Sequence, residues 1–427
     1  MLKVFPFLFL LLQGINIYSQ SIEYARSIIN TLASKEYMGR GYVANADLKA
    51  AKFIRNEFRL SGLDSLGKNY FQPFKIDVNT FPGEMDVQIN GASLKPGDDY
   101  IIDPTSPSIK GNFAVIRCSR SDLLDQQKLN LIFSSIKGKA LLIDLNDSII
   151  YSGEESAKIK QIINLIKFSK DLNNSLTILY TKERLIWSIS DWQSEKPVIL
   201  INSSVINSNE IFKITVDIQA NYLKKYKTQN IVGMIRGSSN NDSFLVITAH
   251  YDHLGIMGKN TIFPGANDNA SGIAMILNLA RYYSINPPKY NTVFIAFSAE
   301  ELGLLGADFF AHSTLLEIKK IKFLINFDLA GTGDEGIKVV NATIFKQEFE
   351  KLQKINSENH FLPSIMARGE ACISDHCLFF NRNVPCFYIY TLGGISAYHD
   401  IYDKAETLPL TEFGNYLKLM TTFLNSF

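Results

Sequence analysis

Three short apolar runs between residues 244 and 330 each end on a side chain that can bind a metal ion. The runs end at His250, at Glu300 with Glu301, and at Asp328. Short runs rich in β-branched and aromatic residues predict strands that are buried on both faces, and residues 271–283 predict a helix between the first two. Because ligands bind at the carboxyl ends of the strands in an open α/β sheet, these side chains are expected to share one edge.

The predicted fold class is therefore α/β, with a mixed, largely parallel central sheet flanked by helices. Residues 22–32 and 48–58 place apolar side chains at helical spacing and predict helices that cover this sheet. Residues 76–222 change to short strand-like runs separated by turns, which predict a smaller β-rich inserted domain. The expected divisions are a signal peptide at 1–19, a helical part at 20–75, the insert at 76–222 and a catalytic domain at 223–427.

The first nineteen residues predict export. Lys3 precedes an apolar run at residues 4–12, and Ile17-Tyr18-Ser19 forms a tolerable cleavage site before Gln20. The run is too short to span a bilayer, which favours a cleaved signal over the alternative of an uncleaved anchor. A periplasmic or secreted protein is expected, without stable membrane insertion after signal cleavage.

Charge and cysteine content add two constraints. The chain has 43 basic and 42 acidic residues and no long basic run, so nothing points to nucleic acid or to an acidic membrane surface. Of the four cysteines, Cys372 and Cys377 form a conceivable local disulfide, and buried thiols are the alternative. The oligomeric state is not readable.

Two of the candidate metal ligands lie in short motifs. His250 begins His-Tyr-Asp-His-Leu-Gly, in which Asp252 can support a ligand histidine. Asp268 lies in a glycine-bounded polar loop that opens into the predicted helix. Taken alone, the histidine could be structural and the aspartate could belong to a helix cap.

The paired glutamates are harder to explain without a metal. Two adjacent carboxylates at the end of a buried strand repel each other unless a cation or a shared proton compensates. One of them can bind metal while the other serves as a general base. Asp328 repeats the pattern, and His399 follows a later predicted strand and a two-glycine loop, with Asp403 a candidate to orient that loop. Two histidines and three carboxylates suit two zinc-like ions that share a carboxylate.

The motifs together resemble those of the co-catalytic di-zinc aminopeptidases, the family that includes aminopeptidase Y and bacterial leucyl aminopeptidases. They occur in the family's order, as Ala-His250-Tyr-Asp252-His-Leu-Gly, Gly-Ala-Asn-Asp268-Asn-Ala-Ser-Gly, Ser-Ala-Glu300-Glu301-Leu-Gly, Asn-Phe-Asp328 and Tyr-His399. The inserted segment resembles a protease-associated domain. The resemblance implies peptide substrates and two Zn²⁺ ions.

The resemblance also implies a role for each residue. Asp268 would bridge the metals, His250 and Asp328 would complete one ion, and Glu301 and His399 would complete the other. Glu300 would be the general base, and Asp252 would support the site. The Ser374-Asp375-His376 segment stays outside this metal set, since a capping serine and a structural histidine explain it equally well.

Other activities on the same fold remain open. A glutaminyl cyclase resembles a one-metal variant, and carboxypeptidase or dipeptidase action would use the same ligands. A catalytically inactive binding ectodomain is the alternative of another class. Metal content separates the cyclase, with one equivalent, from the peptidase, with two, and from the inactive module, with none.

Overall fold

The computed structural model describes residues 21–239 and 242–427, so the predicted signal peptide lies outside the described residues. The helices are α1 (residues 21–32), α2 (Ala46–Leu60), α3 (Arg120–Leu124), α4 (Gln126–Ser135), α5 (Gly153–Phe168), α6 (Gly272–Ile285), α7 (Leu305–Ala311), α8 (Lys346–Asn359), α9 (His376–Phe380) and α10 (Phe413–Asn425). Among the described residues, no helix has both the length and the apolar character that a membrane crossing needs.

The strands follow in chain order. They are β1 (Asp64–Ser65), β2 (Phe71–Thr80), β3 (Met85–Ile89), β4 (Ala92–Ser93), β5 (Tyr100–Ile102), β6 (Ile109–Ser119), β7 (Ala140–Asp144), β8 (Leu176–Thr181), β9 (Val198–Asn202), β10 (Lys213–Ile218), β11 (Asn221–Ile235), β12 (Phe244–His250), β13 (Gly255–Met257), β14 (Thr261–Phe263), β15 (Asn291–Phe297), β16 (Ile321–Phe327), β17 (Gly336–Val340), β18 (Ile365–Ala367) and β19 (Cys386–Leu392).

The central sheet has the order β1-β11-β15-β12-β16-β19-β17-β18, with β2 paired to β11. Its four middle strands, β15, β12, β16 and β19, run parallel. The flanking pairs β11 with β15 and β17 with β19 are antiparallel. The prediction of a mixed sheet with helices on its faces is confirmed.

Alternating side chains of the middle strands enter two different cores. On β12, Leu245 and Ile247 pack in the core that contains α1, α2, α6, α8 and α10, whereas Val246 packs in the core that contains α7 and α9. This alternation follows from the two-residue period of a strand. Apolar layers on both faces explain why each of these strands reads as a continuous apolar run.

A second sheet lies between β2 and β11 in the chain, with the order β4-β3-β10-β6-β7-β8-β9-β5. We call residues 85–218 the second module. One face of its sheet packs against α3, α4 and α5. The other face forms a core with Leu254, Met257 and Phe263 from the β13–β14 hairpin of the catalytic region. The proposed domain boundaries at residues 76 and 222 stay a prediction.

Cys372 and Cys377 form a disulfide in the structure, as one of the two sequence alternatives expected. Cys118 and Cys386 are buried free thiols. The disulfide encloses Ser374, Asp375 and His376, and so holds this segment in a closed loop beside the end of β16.

Candidate metal centre

All seven predicted site residues lie at the carboxyl edge of the parallel strands. His250 is the last residue of β12, Asp328 directly follows β16, and the paired glutamates follow β15 by three residues. Asp268 lies in the irregular turn Ala266–Ser271 that leads into α6, and His399 lies in the loop after β19. Strand direction and the βα turn therefore bring together residues that lie far apart in the sequence.

The carboxylate of Asp268 lies between the two histidines. Its Oδ1 atom is 3.3 Å from Nε2 of His250, and its Oδ2 atom is 3.0 Å from Nε2 of His399. The backbone amide of Asp268 donates to Oδ2 of Asp403 at 2.9 Å, which orients the turn. Each oxygen of Asp268 therefore faces a different group of potential ligands.

The first group contains His250, Asp268 and Asp328. Asp328 Oδ1 is 3.5 Å from Nε2 of His250, and it is buried without a hydrogen-bond partner among the described residues. Nδ1 of His250 is 3.2 Å from the carbonyl oxygen of Asp252. A carbonyl can only accept, so this contact holds a proton on Nδ1 and leaves Nε2 as the nitrogen that faces the two carboxylates and could bind a metal ion.

The second group contains Asp268, Glu301 and His399, together with His253. Glu301 Oε2 is 3.2 Å from Nε2 of His399, whereas its Oε1 is 2.8 Å from Nδ1 of His253. Nδ1 of His399 is 3.1 Å from the carbonyl oxygen of Trp187, which again leaves Nε2 as the free nitrogen. The sequence analysis missed His253, although it lies within the quoted His-Tyr-Asp-His motif.

Both groups fit divalent zinc. Each offers at least one imidazole nitrogen and two carboxylate oxygens, the nitrogen and oxygen donors that Zn²⁺ accepts. The buried, unpartnered Asp328 Oδ1 would gain a partner from a cation at the first group. Burial alone would lower the pKa of His399, but Glu301 and Asp268 raise it to about 11, which shows how strongly this site attracts positive charge.

Asp252 organises the chain just before the glutamate ligand. Its Oδ1 accepts the backbone amide of Glu300 at 3.1 Å, and its Oδ2 accepts the hydroxyl of Tyr42 at 3.0 Å. Burial raises the pKa of Asp252 to about 6. Asp252 therefore supports the glutamate pair through the backbone.

Glu300 lies outside these two groups, although it also lies close enough to His250 and Glu301 to share a metal ion with them. Burial raises its pKa well above the usual value, His250 opposes this shift, and the carboxylates of Asp375, Glu301 and Asp328 raise the pKa further. A carboxyl group with such a pKa holds a proton readily. A cation nearby would favour its ionised form.

Asp375 is a second residue that the sequence analysis left out. Its side chain is buried, and both of its carboxylate oxygens have no hydrogen-bond partner among the described residues. Burial raises its pKa well above the usual value, and Asp252 and Asp328 act in the same direction. In the sequence, the Ser374-Asp375-His376 segment is interpreted as a capping serine and a structural histidine, because only the fold brings Asp375 to the site.

Arg40 is the third missed residue. It is fully buried, and its guanidinium donates to the carbonyl oxygens of five residues, Leu32, Tyr251, Pro264, Gly265 and Asp268. Of these acceptors, Tyr251 directly follows the predicted ligand His250, and Asp268 is itself a predicted ligand. In the sequence, the two glycines that flank Arg40 are the feature that could have drawn attention to it.

The carboxyl-terminal half of the chain is similar to known zinc peptidases. Residues 230–424 match the model of peptidase family M28. Aminopeptidase YwaD of Bacillus subtilis (strain 168) is 37% identical over 110 residues, which cover 25% of this chain and 23% of that protein. A probable zinc metalloprotease of Pyricularia oryzae is 34% identical over 116 residues, 26% of this chain and 23% of that protein. The chain thus spans about a quarter of the length of these curated relatives.

Solved structures extend the similarity of the fold to nearly the whole chain. A zinc aminopeptidase from Bacillus subtilis matches with a TM-score of 0.68 and 21% identity, over 95% of this chain and 94% of that one. A peptidase M28 precursor from Shewanella amazonensis SB2B matches with a TM-score of 0.73 and 16% identity, over 96% of this chain and 94% of that one. At these identities the likeness shows the fold, including the second sheet.

Proposed function

We propose that this chain, whose residues 230–424 match the model of peptidase family M28, is a zinc-dependent aminopeptidase that removes amino-terminal residues from peptides. The observation that carries the proposal is the carboxylate of Asp268, which directs one oxygen to each of two groups of nitrogen and oxygen donors. A single-ion site would not need this division. The protease-associated character of the second module and export by residues 1–19 belong to the same proposal.

The residues that would hold the two ions follow from the two groups. His250 and Asp328 would bind one zinc, Glu301 and His399 would bind the other, and Asp268 would bind both. When bound, zinc supplies a Lewis acid that polarises the scissile carbonyl and lowers the pKa of water. His253 and Trp187 hold the outer atoms of Glu301 and His399, so the inner atoms stay directed at the site.

Glu300 carries the proton in the proposed reaction. Glu300 adjoins Glu301. Its backbone amide donates to Oδ1 of Asp252, and this hydrogen bond fixes the position of the Glu300 backbone after the end of β15. As a base it takes a proton from the attacking water, and as an acid it then gives that proton to the leaving amine. A half-buried carboxyl group with a raised pKa suits both steps, because it takes up a proton more readily than an exposed glutamate does.

The excess of buried carboxylates also favours substrates with a free amino group. Glu300, Asp328 and Asp375 lie at the same edge as the predicted ligands, and in their ionised form they would attract a protonated substrate amine. A blocked amino terminus lacks that charge. The site chemistry thus favours exopeptidase action at the amino end.

The test compares aminoacyl-nitroanilides with their amino-terminally blocked analogues, with and without chelation and zinc re-addition. We expect cleavage of free-amine substrates only, loss of activity on chelation and recovery with zinc. The Glu300→Gln variant should lose at least about 100-fold in kcat, the usual contribution of a general base. Glu350→Gln, on the exposed face of α8, is the matched control and should retain activity.

Two results would overturn the proposal. Cleavage that survives complete removal of metal would exclude the zinc mechanism. No cleavage of any free-amine substrate by protein that holds two zinc equivalents would move the assignment to carboxypeptidase, dipeptidase or cyclase substrates.

A further inference from the structure

The loop that carries His399 is bonded to the second module through the backbone. Trp187 lies between β8 and β9 of that module. Its amide donates to the carbonyl oxygen of His399 at 3.0 Å, and its carbonyl oxygen lies 3.1 Å from Nδ1 of the same histidine. One module residue thus holds both the backbone and the side chain of a predicted ligand.

Arg184 adds a second set of bonds to the same loop. Its guanidinium donates to the carbonyl oxygens of Ser396 and Tyr398, the latter at 3.2 Å, and pairs with the carboxylate of Asp400. Only 5% of the Asp400 side chain is exposed, whereas 40% of the Arg184 side chain is. Arg184 therefore reaches from the module surface into the loop and binds residues on both sides of His399.

Trp187 itself is fixed in place. Its indole Nε1 donates to the carbonyl oxygen of Ile102 at 2.8 Å, and its ring lies 4.6 Å from that of Phe263 between centroids. Ile102 belongs to the second sheet and Phe263 to the hairpin of the catalytic region. The carbonyl that faces His399 therefore belongs to a rigid part of the interface between the two sheets.

The backbone of His399 needs such support. Its φ is 51°, in the left-handed region that residues other than glycine seldom adopt. Such a conformation persists only when its surroundings hold it. The bonds from Trp187 and Arg184 are contacts of that kind, and both come from the second module.

We propose that the second module completes one of the two metal sites, with Trp187 and Arg184 as positioning residues for His399. The Trp187 carbonyl accepts the proton of Nδ1, so Nε2 is the nitrogen that faces Asp268 and Glu301 and that a metal ion would bind. Arg184 holds the loop at the position where that contact forms. This inference rests on the proposed function, since it assigns the module a part in binding the ion that Glu301 and His399 would share.

The alternative is that Arg184 and Asp400 form an ordinary surface ion pair. Such pairs contribute about 0–1 kcal/mol to stability and would leave metal binding unchanged. The two possibilities differ in metal affinity at one site only. Activity alone would not separate them.

The test is a titration of metal-free full-length protein with Zn²⁺ against a chromophoric chelator. The variants are Arg184→Ala, Arg184→Lys and Asp400→Asn. The last removes the charge of Asp400 and keeps the volume of its side chain. Arg120→Ala is the matched control, because Arg120 pairs with Asp147 within the second module at a similar exposure. Thermal unfolding of each metal-free variant shows whether it is folded.

We expect the wild type to bind two zinc ions. Arg184→Ala should bind one with unchanged affinity and the other about 10- to 100-fold more weakly, the usual effect of losing an outer support of a ligand. Asp400→Asn should weaken the same ion, and Arg184→Lys should recover part of the affinity. His399→Ala should lose that ion, and Arg120→Ala should match the wild type.

Two results would contradict the inference in different ways. If the wild type binds two zinc ions and Arg184→Ala binds both with the same affinities, this inference is overturned. The proposed function would still stand. A wild type that binds no zinc would overturn the proposed function and the inference with it.

Discussion

Arg40 shows how a buried charge can stabilise a site without an ion pair. Its guanidinium uses five hydrogen bonds to carbonyl oxygens that belong to α1, to the residue after β12 and to the turn before α6. Burial lowers its pKa to about 10, and the nearby Asp268 and Asp403 oppose this shift. Arg40 therefore stays charged at neutral pH and holds three segments of the chain around the predicted ligands.

Arg40→Lys tests this role. A lysine has three donors on a single nitrogen, so several buried carbonyl groups would lose their partners, each at about 1–3 kcal/mol. We expect the free energy of unfolding to fall by at least about 3 kcal/mol, measured by urea denaturation. Arg59→Lys is the control, because Arg59 is exposed and bonds only to Asn56 among the contacts described. A loss under about 1 kcal/mol for Arg40→Lys would contradict this role.

Asp403 makes the stability of the metal-free protein depend on pH. Burial raises the pKa of its carboxyl group to about 7, against the opposing effect of bonds from the amides of Asn267 and Asp268. The folded state thus binds a proton that the unfolded state has lost above about pH 4. Stability from this group is complete below about pH 4 and falls as the pH rises to about 7.

The measurement is urea denaturation of chelated protein at intervals between pH 4 and pH 8. One pKa unit corresponds to about 1.4 kcal/mol, so the fall attributable to Asp403 amounts to several kcal/mol. The Asp403→Asn variant cannot titrate at this position, and its curve should be flatter by that amount. Equal slopes for the two proteins would show that the pKa of Asp403 is not raised.

At the scale of elements, the fit between α6 and β16 depends on one glycine. A Cβ atom at Gly272 would lie 2.2 Å from Oδ1 of Asn269 and 2.7 Å from the carbonyl oxygen of Phe327. Phe327 ends β16 and directly precedes Asp328. The absence of a side chain at Gly272 thus lets the first turn of α6 approach the strand end that carries a predicted ligand.

Gly272→Ala should therefore destabilise the protein by about 1–3 kcal/mol, as overpacking of a close contact does. Its matched control is Gly153→Ala, since Gly153 begins α5 and its added Cβ would meet nothing within 4 Å. There, alanine should be neutral or stabilising by up to about 1 kcal/mol. Thermal unfolding of both variants provides the comparison, and equal midpoints would refute the close contact at Gly272.

The strands and the candidate metal ligands could be predicted from the sequence, because an apolar run and the polar residue that ends it are both local features. Each of β12, β15 and β16 is a continuous apolar run, and parallel strands present their ends at one edge. The roles of His253, Arg40 and Trp187 could not be predicted, because they contact Glu301, Asp268 and His399 across 48, 228 and 212 positions of sequence. Only the packing of the two sheets brings such pairs together.

At the scale of the whole molecule, the described residues form two large sheets that share an interface at the two-stranded β13–β14 hairpin. Leu254, Met257 and Phe263 of the catalytic region belong to the core of the second module, while Trp187 and Arg184 of that module bind the His399 loop. The second module resembles an independent insert in sequence. In the structure, its contacts with the hairpin and the His399 loop couple it to the predicted metal site.

Zinc-edge anomalous diffraction from crystals of zinc-loaded protein tests the central claim most directly. We expect two anomalous peaks on opposite sides of the Asp268 carboxylate, one beside His250 and Asp328 and the other beside Glu301 and His399. A single peak, or peaks that do not contact Asp268, would contradict the two-ion site.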